Sequence, residues 1–190
     1  MIRSKDRAGW FGASDTHAIM GSWNTKTFER FWLIKLGINR SSFATPAMQA
    51  GNAYEHKILD YIGVEKKDRQ IKIRKLRLRV NLDGETNRIK EVKTHSAVKF
   101  RVTPAYWQQA QVEMFAAKKP LDIVSYHLLP DDYENYFNEI DPDRIGEREV
   151  EYDAAWIETM YLPRLRYLTK CLKKRKWPTM EEFENENTVR

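Results

Sequence analysis

Two acidic residues and a lysine lie close together around a short turn in the middle of the chain. Apolar and polar residues alternate over residues 76–83, which predicts a strand that ends on Asp83 and turns this side chain away from the apolar face. The next four residues predict a turn, and a second strand is expected from Arg88 to Thr94. A two-residue spacing puts Glu91 and Lys93 on one face of that strand. The hairpin therefore predicts a site with two carboxylates and one amine.

These residue types suit the cleavage of a phosphodiester. The reaction requires neutralisation of charge around an anionic phosphate, and carboxylate oxygens are the ligands that hold Mg²⁺ for this purpose. An ammonium group beside such carboxylates can orient an attacking water and help it to lose a proton. Asp83, Glu91 and Lys93 together are the candidates for this chemistry.

The spacing by itself does not decide the function. The same arrangement of an acid, any residue and a lysine occurs at Glu55/Lys57 and at Glu65/Lys67, in a chain in which 32% of residues are charged. A solvated face of an ordinary surface hairpin is the alternative, because a charge pattern usually marks a wet surface.

Composition limits the classes of protein to consider. A length of 190 residues with 42% hydrophobic residues predicts a single globular domain over residues 1–190. The single cysteine, Cys171, excludes an internal disulfide and a cysteine-rich zinc or iron–sulfur site, and a packing role is expected for it. Neither a long apolar run nor a signal peptide is evident, which favours a cytoplasmic protein without a membrane contact.

The charge balance modestly favours a polyanionic partner. The chain has 33 Lys and Arg against 27 Asp and Glu, a formal charge of +6. The basic clusters Arg69–Lys75 and Lys173–Lys176 could contact phosphates. A solvated strand edge and a frayed helix end are the alternatives for these two clusters.

The order of the predicted elements indicates the fold class. We expect α/β architecture, with a central mixed β-sheet flanked by helices, because helical and strand patterns alternate along the chain. The predicted helices are Asp15–Met20 (begun by a Ser14 or Asp15 cap), Thr27–Leu36, Met48–Ile62, Ala105–Ala117 and a C-terminal helical region over about 153–176 that Pro163 kinks or divides. The predicted strands are one or two over Gln70–Asp83, one over Arg88–Thr94 with continuation toward Val102, and Asp122–Leu129, followed by a loop over Pro130–Glu151.

Four segments in a fixed order resemble a known family. They are Arg7–Asp15, Gly51–Glu55, Leu82-Asp83-Gly84 followed by Glu91-Val92-Lys93, and Tyr106–Met114. Over about residues 7–114 the chain resembles the lambda-exonuclease/YqaJ-type branch of the PD-(D/E)xK nuclease superfamily, which contains phage-type recombination nucleases. One departure is Leu82, which stands where many members have a proline that is not a ligand.

The resemblance implies roles for the matching positions. Glu55, Asp83, Glu91 and the backbone carbonyl of Val92 would bind one or two Mg²⁺ ions, with Mn²⁺ as the alternative metal. Lys93 would activate the water, and Gln109 would position the lysine or the water through its amide. Without the resemblance, Glu55 is equally a surface residue of an amphipathic helix and Gln109 a polar helix position.

The resemblance also implies a site for the end of DNA. Arg7 and Ser14 would bind the terminal 5′-phosphate, since a guanidinium matches phosphate geometry and a helix start offers N–H donors. A plain N-cap serine and a solvated arginine are the alternatives. Trp10, beside this arginine, could wedge the end of the duplex, whereas His17, His56, His95 and His127 show no metal-ligand spacing and are interpreted as incidental.

The expected function is a Mg²⁺-dependent 5′-to-3′ exonuclease that acts on double-stranded DNA ends and leaves a 3′ single strand for recombination by annealing. Members of the family form ring-shaped trimers, so the resemblance implies a homo-oligomer, a single-strand annealing protein as partner, and a phage or prophage protein in a bacterial cytoplasm. Two alternatives remain: an endonuclease of restriction or junction-resolving type, and a non-catalytic DNA-binding or inhibitor protein on a nuclease scaffold. An iron–sulfur nuclease is a weaker alternative, since one cysteine cannot hold the cluster.

Overall fold

A computed structural model describes residues 7–39 and 45–188, and a mixed five-stranded sheet with the order β1-β2-β3-β4-β5 lies at its centre. β3 and β4 are parallel, and the other neighbouring pairs are antiparallel. The strands are β1 Lys66–Ile73, β2 Leu78–Glu85, β3 Ile89–His95, β4 Leu121–His127 and β5 Ile145–Val150.

Helices cover the sheet. They are α1 Thr16–Met20, α2 Lys26–Lys35, α3 Pro46–Tyr61, α4 Pro104–Ala117, α5 Pro130–Glu134, α6 Ala154–Trp156, α7 Leu162–Lys173 and α8 Met180–Thr188. Within the described ranges, none of them combines the length and the apolar character that a membrane crossing requires.

Two apolar clusters hold the helices and the sheet together. The larger one joins Val112 of α4 and Leu165 of α7 to Leu78 and Val80 of β2. The smaller one joins Ile58 of α3 to the β-strands, and it contains Tyr54, Leu59, Val92, Val124 and Tyr126. The α/β fold with helices around a central mixed sheet is therefore confirmed.

The two helices nearest the predicted site begin in the same way. A threonine precedes each one and accepts a hydrogen bond from a backbone N–H of the first turn: Thr45 from Met48 and Thr103 from Tyr106, both at 3.2 Å. A proline follows each threonine, where its missing N–H leaves no helical bond unmade. Local sequence thus fixes where α3 and α4 start.

A buried polar network joins α3 to the segment that follows β4. The Tyr54 hydroxyl lies 2.9 Å from Asp132 Oδ1 and 3.1 Å from the carbonyl of Asn135. Arg144 donates to Asp132 Oδ2 at 2.5 Å, so the buried carboxylate is paired. The segment after β4 therefore fastens α3 to the sheet.

The prediction of a loop over Pro130–Glu151 is wrong, because this span contains α5 and the edge strand β5. Three of the six residues of β5 are exposed, and within the described ranges the strand pairs with β4 along one edge only. Its Glu149 accepts from Arg88 at 2.8 Å and its Glu147 pairs with Lys90. Cross-strand charge pairs, which span distant parts of the sequence, hold a strand whose composition indicates a loop.

Other boundaries also differ from the prediction. Gly84 and Glu85 belong to β2, so the turn is shorter than expected, and β3 ends at His95 without continuing toward Val102. In the C-terminal region a π-helical stretch, Ile157–Tyr161, precedes Pro163, which lies in the first turn of α7. Proline is tolerated there, so it neither divides nor ends the helix.

Candidate active site

Asp83 and Glu91 follow directly after the paired part of the β2–β3 hairpin. The two strands pair at Gly84 with Lys90 and at Glu85 with Ile89, so Asp83 and Glu91 are the next residues on each side. The Asp83 carboxylate accepts a hydrogen bond from the Val92 N–H at 3.0 Å. A side chain of β2 therefore contacts the backbone of β3 between Glu91 and Lys93.

Glu91, Lys93 and Gln109 form one hydrogen-bonded group. The Lys93 ammonium donates to Glu91 Oε1 at 2.6 Å and to Gln109 Oε1 at 3.2 Å. The Gln109 amide nitrogen in turn donates to Glu91 Oε1 at 2.5 Å. The structure thus brings together Glu91, Lys93 and Gln109. The resemblance implies that Lys93 activates the water and that Gln109 positions the lysine.

The second oxygen of Glu91 lacks such a partner. Glu91 is 3% exposed, and no described residue donates a hydrogen bond to its Oε2. A buried carboxylate oxygen without a donor costs free energy unless something else binds it. A divalent cation fits this requirement, since carboxylates are its preferred ligands.

Glu55 approaches the same group from α3. It lines a cleft of about 300 Å³ together with Lys93 and the backbone segment around Val92. The remaining lining residues come from α3, β3 and α4: Ala47, Met48, Gly51, Asn52, Thr94 and Tyr106. Residues of α3, β3 and α4 therefore face this cleft, and Glu55 and Lys93 are the predicted site residues whose side chains line it. Asp83, Glu91 and Gln109 are not among its lining residues.

The carboxyl groups of the site disfavour each other's ionisation. Burial raises the pKa of Asp83 well above its ordinary value, and the charges of Glu91 and Glu55 add to the effect. Burial and the charge of Glu91 likewise raise the pKa of Glu55. A bound cation would remove this repulsion, and carboxylate oxygens suit a divalent metal. The ligand atoms of Asp83, Glu55 and Glu91 do not all lie within 4.8 Å of one another, however; among the described residues, Glu55, His56 and Asp68 form such a group.

Lys93 keeps its charge in this environment. Burial by itself would lower the pKa of Lys93, but the charge and hydrogen bond of Glu91, with Asp83 and Glu113 beyond it, outweigh burial and raise the pKa. The ring of Tyr106 lies below the ammonium, 5.1 Å from its nitrogen to the ring centroid. Lys93 is thus a fixed, protonated donor.

Glu113 belongs to this group, although the sequence gave it no role. It is 0% exposed, and its Oε1 accepts from the Gln109 amide nitrogen at 2.8 Å. Burial raises its pKa well above the usual range, with the charges of Glu91 and Asp83 contributing. The available signal was its position four residues after Gln109, which places both on one face of a helix.

Arg7 and Ser14 flank Phe11, the residue that pairs with the start of β2. Both are exposed. The carboxylate of Asp15, rather than the Ser14 hydroxyl, accepts from the free N–H of Gly12, at 2.6 Å. Asp15, not Ser14, occupies the N-cap position of α1, and its side chain caps no N–H of that helix. Ser14 is exposed beside the start of α1.

A strand-like contact places this segment beside β2. Phe11 exchanges two backbone hydrogen bonds of 2.7 Å with Arg77 and Arg79. Burial lowers the pKa of Lys35, and the charge and hydrogen bond of Asp15 only partly offset this effect. The charges of Arg7 and Arg79 lower the pKa further. Arg79 lies four residues before Asp83 on β2, which corresponds to roughly 13 Å of strand, while Lys35 is buried and paired with Asp15.

One histidine lies in a cluster that its sequence spacing does not indicate. His56 Nε2 is 3.0 Å from Asp68 Oδ2, and ligand atoms of Glu55, His56 and Asp68 lie within 4.8 Å of one another. Asp68 comes from β1, so the sequence separates it from α3. All three residues are half-buried, and Glu55 belongs both to this cluster and to the cleft with Lys93.

The fold resembles those of solved exonucleases. The crystal structure of an alkaline exonuclease from Laribacter hongkongensis superposes with a TM-score of 0.60 at 20% identity, covering 89% of this chain and 94% of that one. A phage-related exonuclease from Haemophilus somnus superposes with a TM-score of 0.63 at 15% identity, covering 87% and 92%. No protein-family model and no curated protein matches the sequence. The chain therefore shares its fold with exonucleases of the kind that the sequence resembles.

Proposed function

We propose that this chain is a divalent-cation-dependent deoxyribonuclease that digests double-stranded DNA from its ends in the 5′-to-3′ direction. One observation carries the proposal. Glu91 binds Lys93 and Gln109 through one oxygen, while its other oxygen is buried without a described donor beside Asp83 and Glu55. The exonuclease-like fold supports the same conclusion.

Glu55, Asp83, Glu91 and the carbonyl of Val92 would hold the cation. When bound, Mg²⁺ or Mn²⁺ supplies positive charge to the phosphate and lowers the pKa of a coordinated water. Lys93 donates hydrogen bonds, and its ammonium is suited to orient the attacking water and to balance the charge of the hydroxide formed from it. Gln109 holds that ammonium through its amide oxygen.

Arg7 and Ser14 would select the end of the substrate. An exposed guanidinium and an exposed hydroxyl offer donors to a terminal 5′-phosphate. The neighbouring Arg79 adds to the local positive potential, whereas Lys35 is buried and paired with Asp15. This selection separates an enzyme that requires ends from one that cuts inside a duplex.

The resemblance further suggests assembly and partners. We extend the proposal to a ring-shaped homotrimer around the DNA and to a single-strand annealing protein that binds the exposed 3′ strand. Sedimentation of the purified chain with and without duplex DNA tests the first point. A monomer under both conditions would reject the ring while leaving the hydrolytic site in place.

The central test uses three substrates: linear duplex with 5′-phosphates, the same duplex without them, and closed circular duplex. In Mg²⁺ we expect digestion of the phosphorylated linear duplex, slower digestion of the unphosphorylated one, and an intact circle. EDTA should stop all cleavage. Linearisation of the circle would instead indicate an endonuclease, and full activity in EDTA would reject the metal site.

A further inference from the structure

Glu113 has no role in the proposed reaction, yet it is a fully buried carboxyl group on α4. Its neighbours on the helix, Ala110, Val112 and Met114, are buried apolar residues. No described residue donates a hydrogen bond to Glu113 Oε2. A carboxyl group in such a place costs stability, and methionine would fill a similar volume at no such cost. Packing alone therefore does not explain a carboxyl group here.

The contacts of Gln109 show what Glu113 does. Its amide nitrogen donates one hydrogen to Glu91 Oε1 at 2.5 Å and the other to Glu113 Oε1 at 2.8 Å. Its amide oxygen accepts from Lys93 at 3.2 Å. A rotated amide would turn its oxygen toward two carboxyl groups and its hydrogens toward an ammonium, so the two acceptors fix the orientation.

Of these two acceptors, Glu113 is the one that has no second role in the proposed reaction. Glu91 is a ligand of the cation in the proposed function, so its oxygens serve two purposes. Glu113 lies one helical turn behind Gln109, is fully buried and is not one of the proposed ligands, so its contact with the amide does not require the cation. It can therefore hold the amide throughout the reaction.

We propose that Glu113 is a positioning residue, which fixes the Gln109 amide so that its oxygen faces Lys93 and keeps the ammonium aimed into the cleft. This inference rests on the proposed function, in which Lys93 orients the attacking water. The requirement is a hydrogen-bond acceptor at position 113, not a negative charge.

Amide exchange tests the contact without any activity measurement. The side-chain amide protons of Gln109, assigned in labelled protein by their loss in Gln109→Met, should exchange slowly in the wild type. Glu113→Met should speed their exchange at least about tenfold, whereas Glu113→Gln should keep it within about threefold. Unchanged exchange in Glu113→Met would reject the positioning role.

Kinetics test the consequence. Glu113→Met should lower kcat about 10- to 100-fold, because a small misplacement of a catalytic group has effects of this size. KM for DNA and calorimetric affinity for Mn²⁺ should stay within about threefold of the wild type. Glu113→Gln should restore most of kcat, and a Glu113→Gln variant as slow as Glu113→Met would overturn the proposal.

A double-mutant cycle separates positioning from a structural role. If Glu113 acts through Gln109, then Glu113→Met should add little to the loss in Gln109→Met, and multiplicative losses would contradict the inference. Cys171→Ala, a buried change on α7, serves as the control for general loosening and should leave kcat unchanged. Glu113→Leu replaces Glu113→Met if the latter does not fold.

The two proposals fail in different ways. A wild-type protein that cleaves no DNA in Mg²⁺ or Mn²⁺ rejects the nuclease, whatever the exchange of Gln109. An active wild type whose kcat and Gln109 exchange are unaffected by Glu113→Met rejects the positioning role alone.

Discussion

The carboxylate of Asp83 accepts a hydrogen bond from the backbone N–H of Val92 at 3.0 Å. This bond ties the end of β2 to the residue between Glu91 and Lys93, so three groups from two strands have fixed relative positions. Asparagine can accept the same bond through its amide oxygen. The charge of Asp83 can therefore be removed without removal of its contact.

Asp83→Asn should stabilise the metal-free protein while it abolishes cleavage. Burial and the charges of Glu91 and Glu55 raise the pKa of Asp83, so its ionised form is unfavourable in the folded state. We therefore expect the melting temperature in EDTA to rise. Calorimetry should show weakened Mn²⁺ binding. A lower melting temperature in EDTA, or wild-type affinity for Mn²⁺, would contradict this account.

Stabilisation by Mg²⁺ should grow with pH. The pKa values of Asp83, Glu55 and Glu113 are all raised, so the folded state binds more protons than the unfolded state above the ordinary carboxyl pKa of about 4. As pH rises through this window, these groups make the metal-free protein less stable, while a cation competes better with protons.

Melting temperatures with and without Mg²⁺ from pH 4.5 to 8 measure this effect. The ion-paired Asp132 and Asp122 have lowered pKa values despite their burial, and their contribution is lost only at more acidic pH. The two effects therefore separate along the pH axis. A Mg²⁺ effect that is constant, or largest at low pH, would refute the assigned ligands.

Lys93→Ala should remove catalysis and leave DNA binding largely unchanged. Loss of the ammonium removes the donor that orients the water, and we expect kcat to fall about 10²- to 10⁴-fold. Binding to duplex DNA in Ca²⁺ should change by less than about threefold, since the role proposed for Lys93 is toward the attacking water and other Lys and Arg residues would remain to contact phosphates. Lys170→Ala, an exposed residue paired with Glu186, is the matched control. Equal cleavage by the two variants would exclude Lys93 from the reaction, and no cleavage by the wild type or either variant would favour a non-catalytic protein.

Arg7→Ala and Ser14→Ala should reduce the preference for phosphorylated ends. Each change removes donors to the terminal phosphate, so the rate ratio between phosphorylated and unphosphorylated duplexes should fall several-fold, toward one in the double variant. Arg30→Ala, an exposed arginine of α2, should keep the ratio. A ratio that survives in the double variant would place the phosphate elsewhere and leave the cleavage site unaffected.

Gly84→Ala should disturb the approach of α3 to the hairpin. A Cβ at this position would lie 2.6 Å from Leu59 Cδ2 and 2.9 Å from Val64 Cγ1. Overpacking of this kind costs about 1–3 kcal/mol. We also expect weaker Mn²⁺ binding, because α3 carries Glu55. Gly63→Ala is the comparison, since its Cβ meets nothing within 4 Å, and only its left-handed backbone is strained.

Local patterns were sufficient to predict the hairpin and its charged residues. Strict alternation over β2 and the two-residue spacing of Glu91 and Lys93 depend only on the geometry of a strand. The start of α4 directly after Thr103 follows from local sequence in the same way, whereas α3 begins at Pro46, two residues before the expected Met48. The resemblance then directed attention to Glu55 and Gln109, which spacing alone left as surface residues.

Long-range contacts explain what the sequence did not predict. β5 depends on partners on β3 and β4. Asp68 of β1 pairs with His56 of α3, and the two residues come together only in the folded chain. Glu113 has the composition signal of a helix surface, yet the packing of α4 buries it completely. Burial and cross-strand pairing arise from tertiary packing, which overrides local propensity.

Tyr54 is held by Asp132 and Asn135 while its neighbour Glu55 faces the cleft. A helix fixed one residue away from a ligand cannot slide or turn to follow an ion. The distance between Glu55 and the hairpin is thus set during folding, and the size of the space, rather than adjustment of the chain, should govern which cations are accepted.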